Sequence, residues 1–251
     1  ERNKEQSTLL LENTLSFDKR IGKHNIQALA GYTYQKYKYT DNQMSNKDLP
    51  DGIFVMDAAK GVPTTKGSEK ENVLLSMLGR VIYSFDDKYL LTATFRRDGS
   101  SRFASSNRYG NFPSVAVGWN VYRESFFKSS GLENVFSMLK LRGSYGVLGN
   151  QEIADYLYSS SIANNINYVI GRDQHKWVGG IQTKFATNNI KLETTRTFNA
   201  GLDAAFLDNS LSFTLDLFDK RTHDILLEVP IPISAGAEAD PMVNAGKISN
   251  Q

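Results

Sequence analysis

The chain has 251 residues with 29 basic and 27 acidic side chains, so its formal net charge is only +2. This balance argues against a nucleic-acid binder, which concentrates Lys and Arg on one face. Because cysteine is absent, disulfides, thiolate zinc sites and cysteine nucleophiles are excluded. The longest apolar runs have four residues, as at Ile53–Met56, whereas a membrane-spanning helix needs about 20. The mean hydropathy of −0.39 is still compatible with a membrane β-barrel, in which only alternate residues meet lipid.

Apolar and polar side chains alternate with period two along most of the chain, which is the pattern of β-strands. The clearest case sets Val115, Val117 and Trp119 against Ser114, Ala116, Gly118 and Asn120. The alternation predicts eight strands and the start of a ninth, at about 7–17, 24–34, 73–85, 89–96, 112–122, 138–147, 193–206, 210–221 and 244–251. Helical periodicity is weak, and Glu124 to Phe136 is predicted to form one or two short turns in a connection.

Short and long connections alternate between the predicted strands. Short turns are predicted at 18–20, 86–88 and 208–209, and long polar segments at about 40–70, 97–111, 148–192 and 222–243. A meander with short turns at one end and long loops at the other is typical of outer-membrane barrels. The sequence therefore predicts an all-β fold, the wall of an antiparallel transmembrane β-barrel with long extracellular loops. Phe17, Phe85 and Phe206 should lie near one rim, and the segments 40–70 and 148–192 at the opposite rim.

Aromatic side chains are frequent at the predicted strand ends, which suits the two interfacial belts of a membrane barrel. The predicted belt residues are Phe17, Tyr83, Phe85, Tyr89, Trp119, Tyr122 and Phe206 on the short-turn side, and Tyr34, Tyr37, Tyr39, Phe95, Tyr145 and Phe218 on the long-loop side. The alternative is the general preference of strands for aromatic residues. Odd-numbered positions are expected to meet lipid, including Val115, Val117, Trp119 and Val121. The positions expected to face the lumen include Ser114, Gly118, Asn120, Arg80 and Arg142.

No residue pattern indicates an active site, so we expect neither an enzyme nor a bound cofactor or metal. The three histidines have no second ligand at useful spacing, and phosphate-loop and nucleophile-elbow motifs are absent. The segment Arg96–Phe103 carries three arginines around a Gly-Ser-Ser turn. Arg96 and Arg102 could bind a ligand, but the favoured interpretation is a self-satisfied loop in which Asp98 accepts from an arginine fork.

The segment 148–192 is the second candidate ligand surface. It carries Tyr156, Tyr158, Tyr168 and Trp177 among amide side chains that include Asn165. Aromatic rings mixed with amides suit a neutral, hydrogen-bonding ligand, and they also suit packing against a protein lid. The alternative is a loop ordered only by its own residues.

Several motifs resemble, in the same order, the middle of the barrel of the SusC/RagA family. They are Leu90–Phe103, Arg108–Ser114 with Gly118-Trp119, Leu139–Gly146 with Gly149–Gln151, Glu193–Thr195 leading into Asn199–Asp203, and Asn244–Asn250. Together they cover most of residues 71–251, whereas the first 70 residues fit the preceding strands less distinctively.

This resemblance implies a TonB-dependent outer-membrane transporter of a Gram-negative cell, with about 22 strands when complete. Such a transporter imports an oligosaccharide or a peptide, uses energy relayed by TonB, and pairs with a SusD-like surface lipoprotein that caps the barrel. Residues 1–251 would then be a partial barrel domain of about eight strands. The plug domain, the segment that contacts TonB and the C-terminal strands would lie outside the chain.

Two other interpretations stay open at this point. The first is a small complete outer-membrane barrel or adhesin. The start at Glu1 without a leader and the unterminated end at Gln251 count against it, because they predict a chain cut at both ends. The second is a soluble β-sandwich binding module, which would need loops of comparable length at both ends of its strands.

Overall fold

Nine strands form one antiparallel sheet, in a computed structural model that describes residues 1–164, 166–184, 186–232, 234 and 240–251. Each strand pairs with the next one in the sheet, and β1 and β13 lie at the edges. The strands of this sheet are Arg2–Ile21 (β1), His24–Ser45 (β2), Thr64–Phe85 (β3), Tyr89–Ser100 (β4), Tyr109–Asn120 (β5), Phe136–Asn150 (β6), Glu193–Phe206 (β11), Leu211–Glu228 (β12) and Met242–Asn250 (β13). The prediction of an all-β fold with antiparallel strands is confirmed.

Four short strands lie between β6 and β11 and form two small sheets. They are Ser161–Asn164 (β7), Tyr168–Ile170 (β8), His175–Trp177 (β9) and Gly180–Lys184 (β10), with β7 paired to β10 and β8 paired to β9. The pair β8–β9 lies between β7 and β10 in the sequence and continues their antiparallel pairing. The segment 161–184 is therefore a single hairpin, which we call the arm. The sequence analysis treated this segment as a loop.

The helical content is confined to short turns in connections. One α-helix, Ser125–Ser129 (α1), lies between the 3₁₀ turns Val121–Arg123 and Leu132–Asn134, and Gly131 separates α1 from the second of these turns. This confirms the short turns predicted over 124–136. The other 3₁₀ turns in the described residues are Met56–Ala58 and Ser105–Asn107. Among the described residues, no helix is both long enough and apolar enough to cross a membrane.

The connections separate the two rims of the sheet. The turn rim carries the connections 22–23, 86–88, 121–135 and 207–210, and the loop rim carries 46–63, 101–108, 151–192 and 229–241. Phe17, Phe85 and Phe206 lie at the turn rim, and the two long segments lie at the opposite rim, as predicted. The alternation in length is not strict, because the turn rim also includes the 15-residue connection that contains α1.

The register divides the side chains of the sheet between two faces, since directly paired residues share a face. Val117 pairs with Leu91 and with Gly143, and following the same pairing from Val115 and Trp119 across the neighbouring strands identifies the rest of this face. The further residues are Ala93, Val81, Ala28, Phe17, Tyr145, Phe198, Tyr89, Phe85, Leu141, Leu202 and Leu215. We call this the apolar face. Gly118 pairs with Leu90 and Arg142, and the opposite, polar face holds Ser114, Thr94, Arg80, Asn120, Lys140, Asp203 and Asp216.

The predicted inward and outward sets therefore lie on opposite faces, with two corrections. Val121 lies beyond β5 in a 3₁₀ turn, where it is 7% exposed. The rule that odd positions face outward also fails for β2 and β11, where even residues such as Ala28 and Phe198 lie on the apolar face. In β2 the exchange of odd and even faces comes from the two-residue turn before it, across which Ile21 pairs with His24.

Aromatic rings form a nearly continuous row at the turn rim. Ring centroids are separated by 4.9 Å for His24 and Phe85, 6.4 Å for Phe85 and Tyr89, 6.5 Å for Tyr89 and Trp119, and 6.3 Å for Trp119 and Phe126. Phe136 and Phe206 make a further contact at 4.8 Å. These spacings are those of stacked and tilted aromatic pairs. The belt predicted on this side is confirmed in part: Phe85, Tyr89, Trp119 and Phe206 make such contacts and Tyr83 joins through His24 at 6.0 Å, whereas Phe17 and Tyr122 make no ring–ring contact with the described residues.

The belt predicted on the long-loop side is only half correct. Tyr34, Phe95 and Tyr145 lie on the apolar face, paired with Leu75, Gly79 and Val115. By contrast, Tyr37, Tyr39 and Phe218 lie on the polar face, where their direct partners are Asn72, Lys70 and Asn199. Neighbouring residues of a strand point to opposite faces, so an aromatic residue near a strand end belongs to a belt only if its parity is right.

Candidate functional surfaces at the loop rim

Arg96 is held by its own neighbours on the polar face. Its Nε donates to both carboxylate oxygens of Asp98, at 2.7 and 2.8 Å, and its Nη2 donates to Ser76 Oγ at 3.2 Å. The pairing of Arg96 with Asp98 that the self-satisfied interpretation predicts is present, but one nitrogen makes both bonds, so the predicted two-nitrogen fork is not formed. Arg96 and Asp98 line one end of a cavity of about 270 Å³.

Arg102 joins two loop-rim connections. Its Nε donates to Asp155 at 2.9 Å, and its Nη1 donates to the main-chain oxygen of Gln151 at 3.2 Å. The connection after β4 is thereby fixed to the segment that follows β6. Two candidate residues, Arg102 and Tyr156, line the same cavity of about 470 Å³.

A small apolar core supports these loops and was missed by the sequence analysis. Phe103, Phe112, Ile190 and Leu192 are buried, with Val147, Ile153, Leu157, Leu226 and Met242 packed against them. The ring of Phe112 lies directly over Gly149, where a Cβ would be 2.1 Å from its Cζ. The two connections that flank the core, 101–108 and 151–192, are therefore packed structures.

Tyr156 attaches the segment after β6 to β3. Its hydroxyl accepts from the N–H of Glu71 at 3.3 Å and donates to the carbonyl of the same residue at 3.1 Å. The backbone of Tyr156 has a φ of +64°, which is uncommon for a bulky residue. Tyr158 is half-buried in the same segment.

The arm carries the other candidate aromatics. Tyr168 and Trp177 are directly paired across β8 and β9, and 51% and 53% of their surfaces are exposed. The ring of His175 meets that of Trp177 edge-on at 5.1 Å. Exposed apolar neighbours are Ile162, Ile166, Val169, Ile170 and Val178. Tyr168, Ile170 and Trp177 lie on one face of the hairpin and Val169 on the other, and exposed apolar surface on a hairpin suits contact with a partner. Asn165 lies outside the described residues.

One cluster of paired charges lies on the polar face near the middle of the sheet. Arg142 donates from Nε to Asp203 at 3.1 Å and from Nη2 to Asp216 at 2.9 Å. Gly201 leaves room for this guanidinium, since a Cβ there would be 2.7 Å from its central carbon. Such a group is costly against lipid and suits a wet interior.

At the turn rim, Glu124 connects the aromatic row to a charge. Its carboxylate accepts from Trp119 Nε1 and from Lys88 Nζ, both at 3.1 Å. Hydrogen bonds from Tyr89, Trp119 and Lys88, in that order of importance, hold the pKa of Glu124 below its usual value. The same carboxylate raises the pKa of Lys88.

Comparison with known families gives the decisive observation. The family described as TonB dependent receptor-like, beta-barrel, matches residues 2–251. The chain belongs to this family. The prediction of a TonB-dependent receptor barrel of the SusC/RagA type is confirmed by its relatives as well.

Among curated relatives, TonB-dependent receptor P3 of Formosa agariphila is 35% identical, over 96% of the chain and 24% of the relative. TonB-dependent receptor SusC of Bacteroides thetaiotaomicron is 38% identical, over 71% of the chain and 18% of the relative. The chain thus spans about a quarter or less of these receptors. The solved structure of the RagAB peptide transporter is 28% identical to the chain, with a TM-score of 0.84. The match covers 99% of this chain and 27% of the transporter chain.

Within this TonB-dependent receptor wall, the candidate residues divide into three groups. Tyr168 and Trp177 meet on the arm, Arg102 and Tyr156 share one cavity, and Arg96 lines another. The polar stretch Ser68–Lys70, which forms the opposite side of the shared cavity, was not predicted, because charged residues on both faces hide the strand periodicity there.

Proposed function

We propose that this chain is part of the wall of an importer that carries a nutrient across the outer membrane of a Gram-negative cell, driven by TonB. Residues 1–251 would be a partial barrel domain, with the plug domain, the segment that contacts TonB and the C-terminal strands in other parts of the protein. The nutrient would be an oligosaccharide or a peptide, and RagAB, which is named a peptide transporter, supports peptide as one candidate.

The division of the sheet into an apolar and a polar face carries this proposal. The apolar face would contact lipid between the aromatic row of the turn rim and the loop rim. The polar face, with the Arg142–Asp203–Asp216 cluster, would line a wet passage. Transport of this kind needs a binding surface and a pulling force, and it needs no covalent chemistry in the wall.

The arm is the proposed contact for a SusD-like surface lipoprotein or for the nutrient. Tyr168 and Trp177 present exposed rings on a hairpin that lies at the rim opposite the aromatic row. Rings that combine a large apolar area with a polar tip are common at protein interfaces. The arm also leaves the apolar core intact if it is removed, because the core residues lie outside 161–184.

The test is to excise 162–183 in the full-length receptor and to join Ser161 to Lys184 through Gly-Gly. Those two residues are directly paired, so a short link closes the gap. The matched control replaces 46–63 by Gly-Gly between Ser45 and Thr64, which are also paired. We expect arm removal to impair growth on the nutrient or co-purification of the lipoprotein, while the barrel stays inserted.

Three outcomes would contradict this proposal. Normal growth and normal co-purification after excision would leave the arm without a role in either process. Equal losses in the excision and the control would assign the effect to loop removal in general. Uptake that persists in cells without TonB would contradict energised import itself.

A further inference from the structure

The loop-rim end of β3 has an open edge. β4 ends at Ser100, which pairs with Leu74, so the stretch of β3 from Thr64 to Asn72 is paired only with β2. An unpaired strand edge presents main-chain N–H and C=O groups that can pair with another extended chain.

The register identifies which groups face this open side. In an antiparallel ladder, alternate residues direct both main-chain groups to the same neighbour. The N–H of Asp86 donates to Lys23 at 2.7 Å, which assigns the even residues of β3 to β2. Val73 instead exchanges hydrogen bonds with Ser101, at 2.8 and 2.9 Å. Odd residues therefore point to the open side, among them Thr65, Gly67 and Glu69.

One position on this edge already has a partner that imitates a strand. The Tyr156 hydroxyl accepts from the N–H of Glu71 and donates to its carbonyl, as a paired main chain would. Within the described residues, the groups that Thr65, Gly67 and Glu69 direct to the open side have no such partner.

The open edge meets a cavity of about 470 Å³ at one end, where Ser68, Glu69 and Lys70 line it. Ser68, Glu69 and Lys70 form one wall, and the other wall is formed by Arg102, Ile153–Tyr156 and Ser159–Ser161. The charges of three lining residues are already paired, because Arg102 contacts Asp155 at 2.9 Å and Glu69 contacts Lys38 at 3.1 Å. The cavity therefore offers hydroxyl and main-chain groups to a ligand, together with the ammonium group of Lys70.

We propose that this open edge binds an extended peptide, which adds a strand beside Thr65–Glu69 and reaches the cavity at Glu69. The inference rests on the proposed import function and selects peptide as the nutrient class. Three outward residues at alternate positions, with a rise of about 3.3 Å per residue, match a bound segment of about five residues. A sugar chain has hydroxyl groups but lacks the main-chain N–H and C=O groups that pair with a strand edge. Main-chain pairing gives affinity with little dependence on sequence, which suits a nutrient importer.

The first test uses the unmodified full-length receptor, purified in detergent. A pool of acetylated, amidated pentapeptides of random sequence is equilibrated with the receptor, and retained peptides are identified by mass spectrometry. The most enriched peptide is then remade with N-methyl groups at its odd or at its even residues. We expect one pattern to weaken binding at least about tenfold, because it removes two or three hydrogen bonds, and the other to change it less than about threefold.

The second test changes the edge itself. Glu69→Pro removes the outward N–H, and a sheet edge tolerates proline at such a position. Glu69→Ala removes only the side chain and its ion pair with Lys38. We expect the proline variant to bind the same pentapeptide about fivefold more weakly than the alanine variant. A heat-shift on gel electrophoresis checks that both barrels are folded.

Several results would overturn the inference. They are retention of maltoheptaose without retention of any pentapeptide, equal effects of the two N-methylation patterns, and equal affinity of the two folded variants. Binding to the purified receptor is measured without uptake, so a failure of energised import would be seen separately. The N-methylation test does not depend on the folding of any variant.

Discussion

The two rims of the sheet are built in different ways. The turn rim has tight turns, such as the one in which Asp86 and Asp87 adopt a left-handed conformation. It also has a row of aromatic rings, most of which are brought together by the pairing of adjacent strands. The loop rim depends on the core around Phe103 and on contacts between distant segments, such as Arg102 with Asp155. The turn rim is thus specified mainly by local sequence, and the loop rim by long-range packing.

This difference suits the proposed roles of the rims. A belt at a lipid interface needs the same chemistry at every strand, which local sequence can supply. A surface that receives ligands has to be specific to one receptor, and loops on a rigid scaffold provide that variety.

Phe103→Ala should have the largest effect, because it empties a fully buried position. We expect the loop rim to lose about 3–5 kcal/mol of stability, measured as the free energy of opening by native-state proteolysis within 151–192. Phe54→Ala, at a side chain that is 92% exposed, is the control and should stay within about 0.5 kcal/mol. Similar values for both variants would show that the core does not hold the loops.

Val117→Arg tests the lipid contact between the rims. A charge on the lipid face near the midplane costs about 2–4 kcal/mol, measured by reversible unfolding of the full barrel in bilayers, and Val117→Thr should be milder. Ser114→Arg places the same charge on the polar face of the same strand and should cost much less. A neutral Val117→Arg would contradict the assignment of the faces.

Gly149→Ala tests how tightly the loop rim is packed. The new methyl group would overlap the Phe112 ring, and overpacking of this kind costs about 1–3 kcal/mol. Gly79→Ala adds the same atom to a strand position with nothing within 4 Å, so it should change stability by less than about 0.5 kcal/mol. The same proteolysis and unfolding measurements apply, and a tolerated Gly149→Ala would argue for a loosely packed rim.

Glu124→Gln should have a smaller effect, confined to the turn rim and dependent on pH. Because the folded pKa of Glu124 is below the usual value of 4.5, its stabilising contribution is present above that pH. It is lost as the pH falls through the folded pKa. The difference in unfolding temperature between wild type and variant should therefore be present at pH 7 and shrink at acidic pH. A difference independent of pH would assign Glu124 a purely steric role.

The sequence predicted the lipid-facing middle of the sheet and most of the turn rim, and β11 was predicted with its observed bounds. The turn predicted at 18–20 is wrong, because these residues continue β1 in register with β2 and the chain turns at 22–23. β1 and β3 are also longer than expected at their loop-rim ends, such as Lys66–Glu71, which carry polar residues on both faces and lose the alternation. β12 continues to Glu228, where a loop was predicted from 222. A register shift between Thr222 and Ile225, with Asp224 at a φ of +59°, interrupts the period of two there.

The candidate site was predicted only as a set of residue types. Tyr168 and Trp177 belong together because a hairpin pairs them, and no local signal gave that register. Arg102 and Tyr156 share a cavity because Asp155 and Glu71 hold them there, across 53 and 85 residues of sequence. Contacts at such separations are decided by how distant strands and connections pack together, so period and composition carry no information about them.

The placement of the two tryptophans gives the receptor a pair of optical reporters. Trp119 is stacked and hydrogen bonded at the turn rim, whereas Trp177 is exposed on the arm. In difference spectra against Trp119→Phe and Trp177→Phe variants, the emission of Trp119 should follow the depth of the bilayer interface. The emission of Trp177 should respond to whatever docks on the loop rim. Insertion and docking would then be separable by wavelength and quenching in one cuvette.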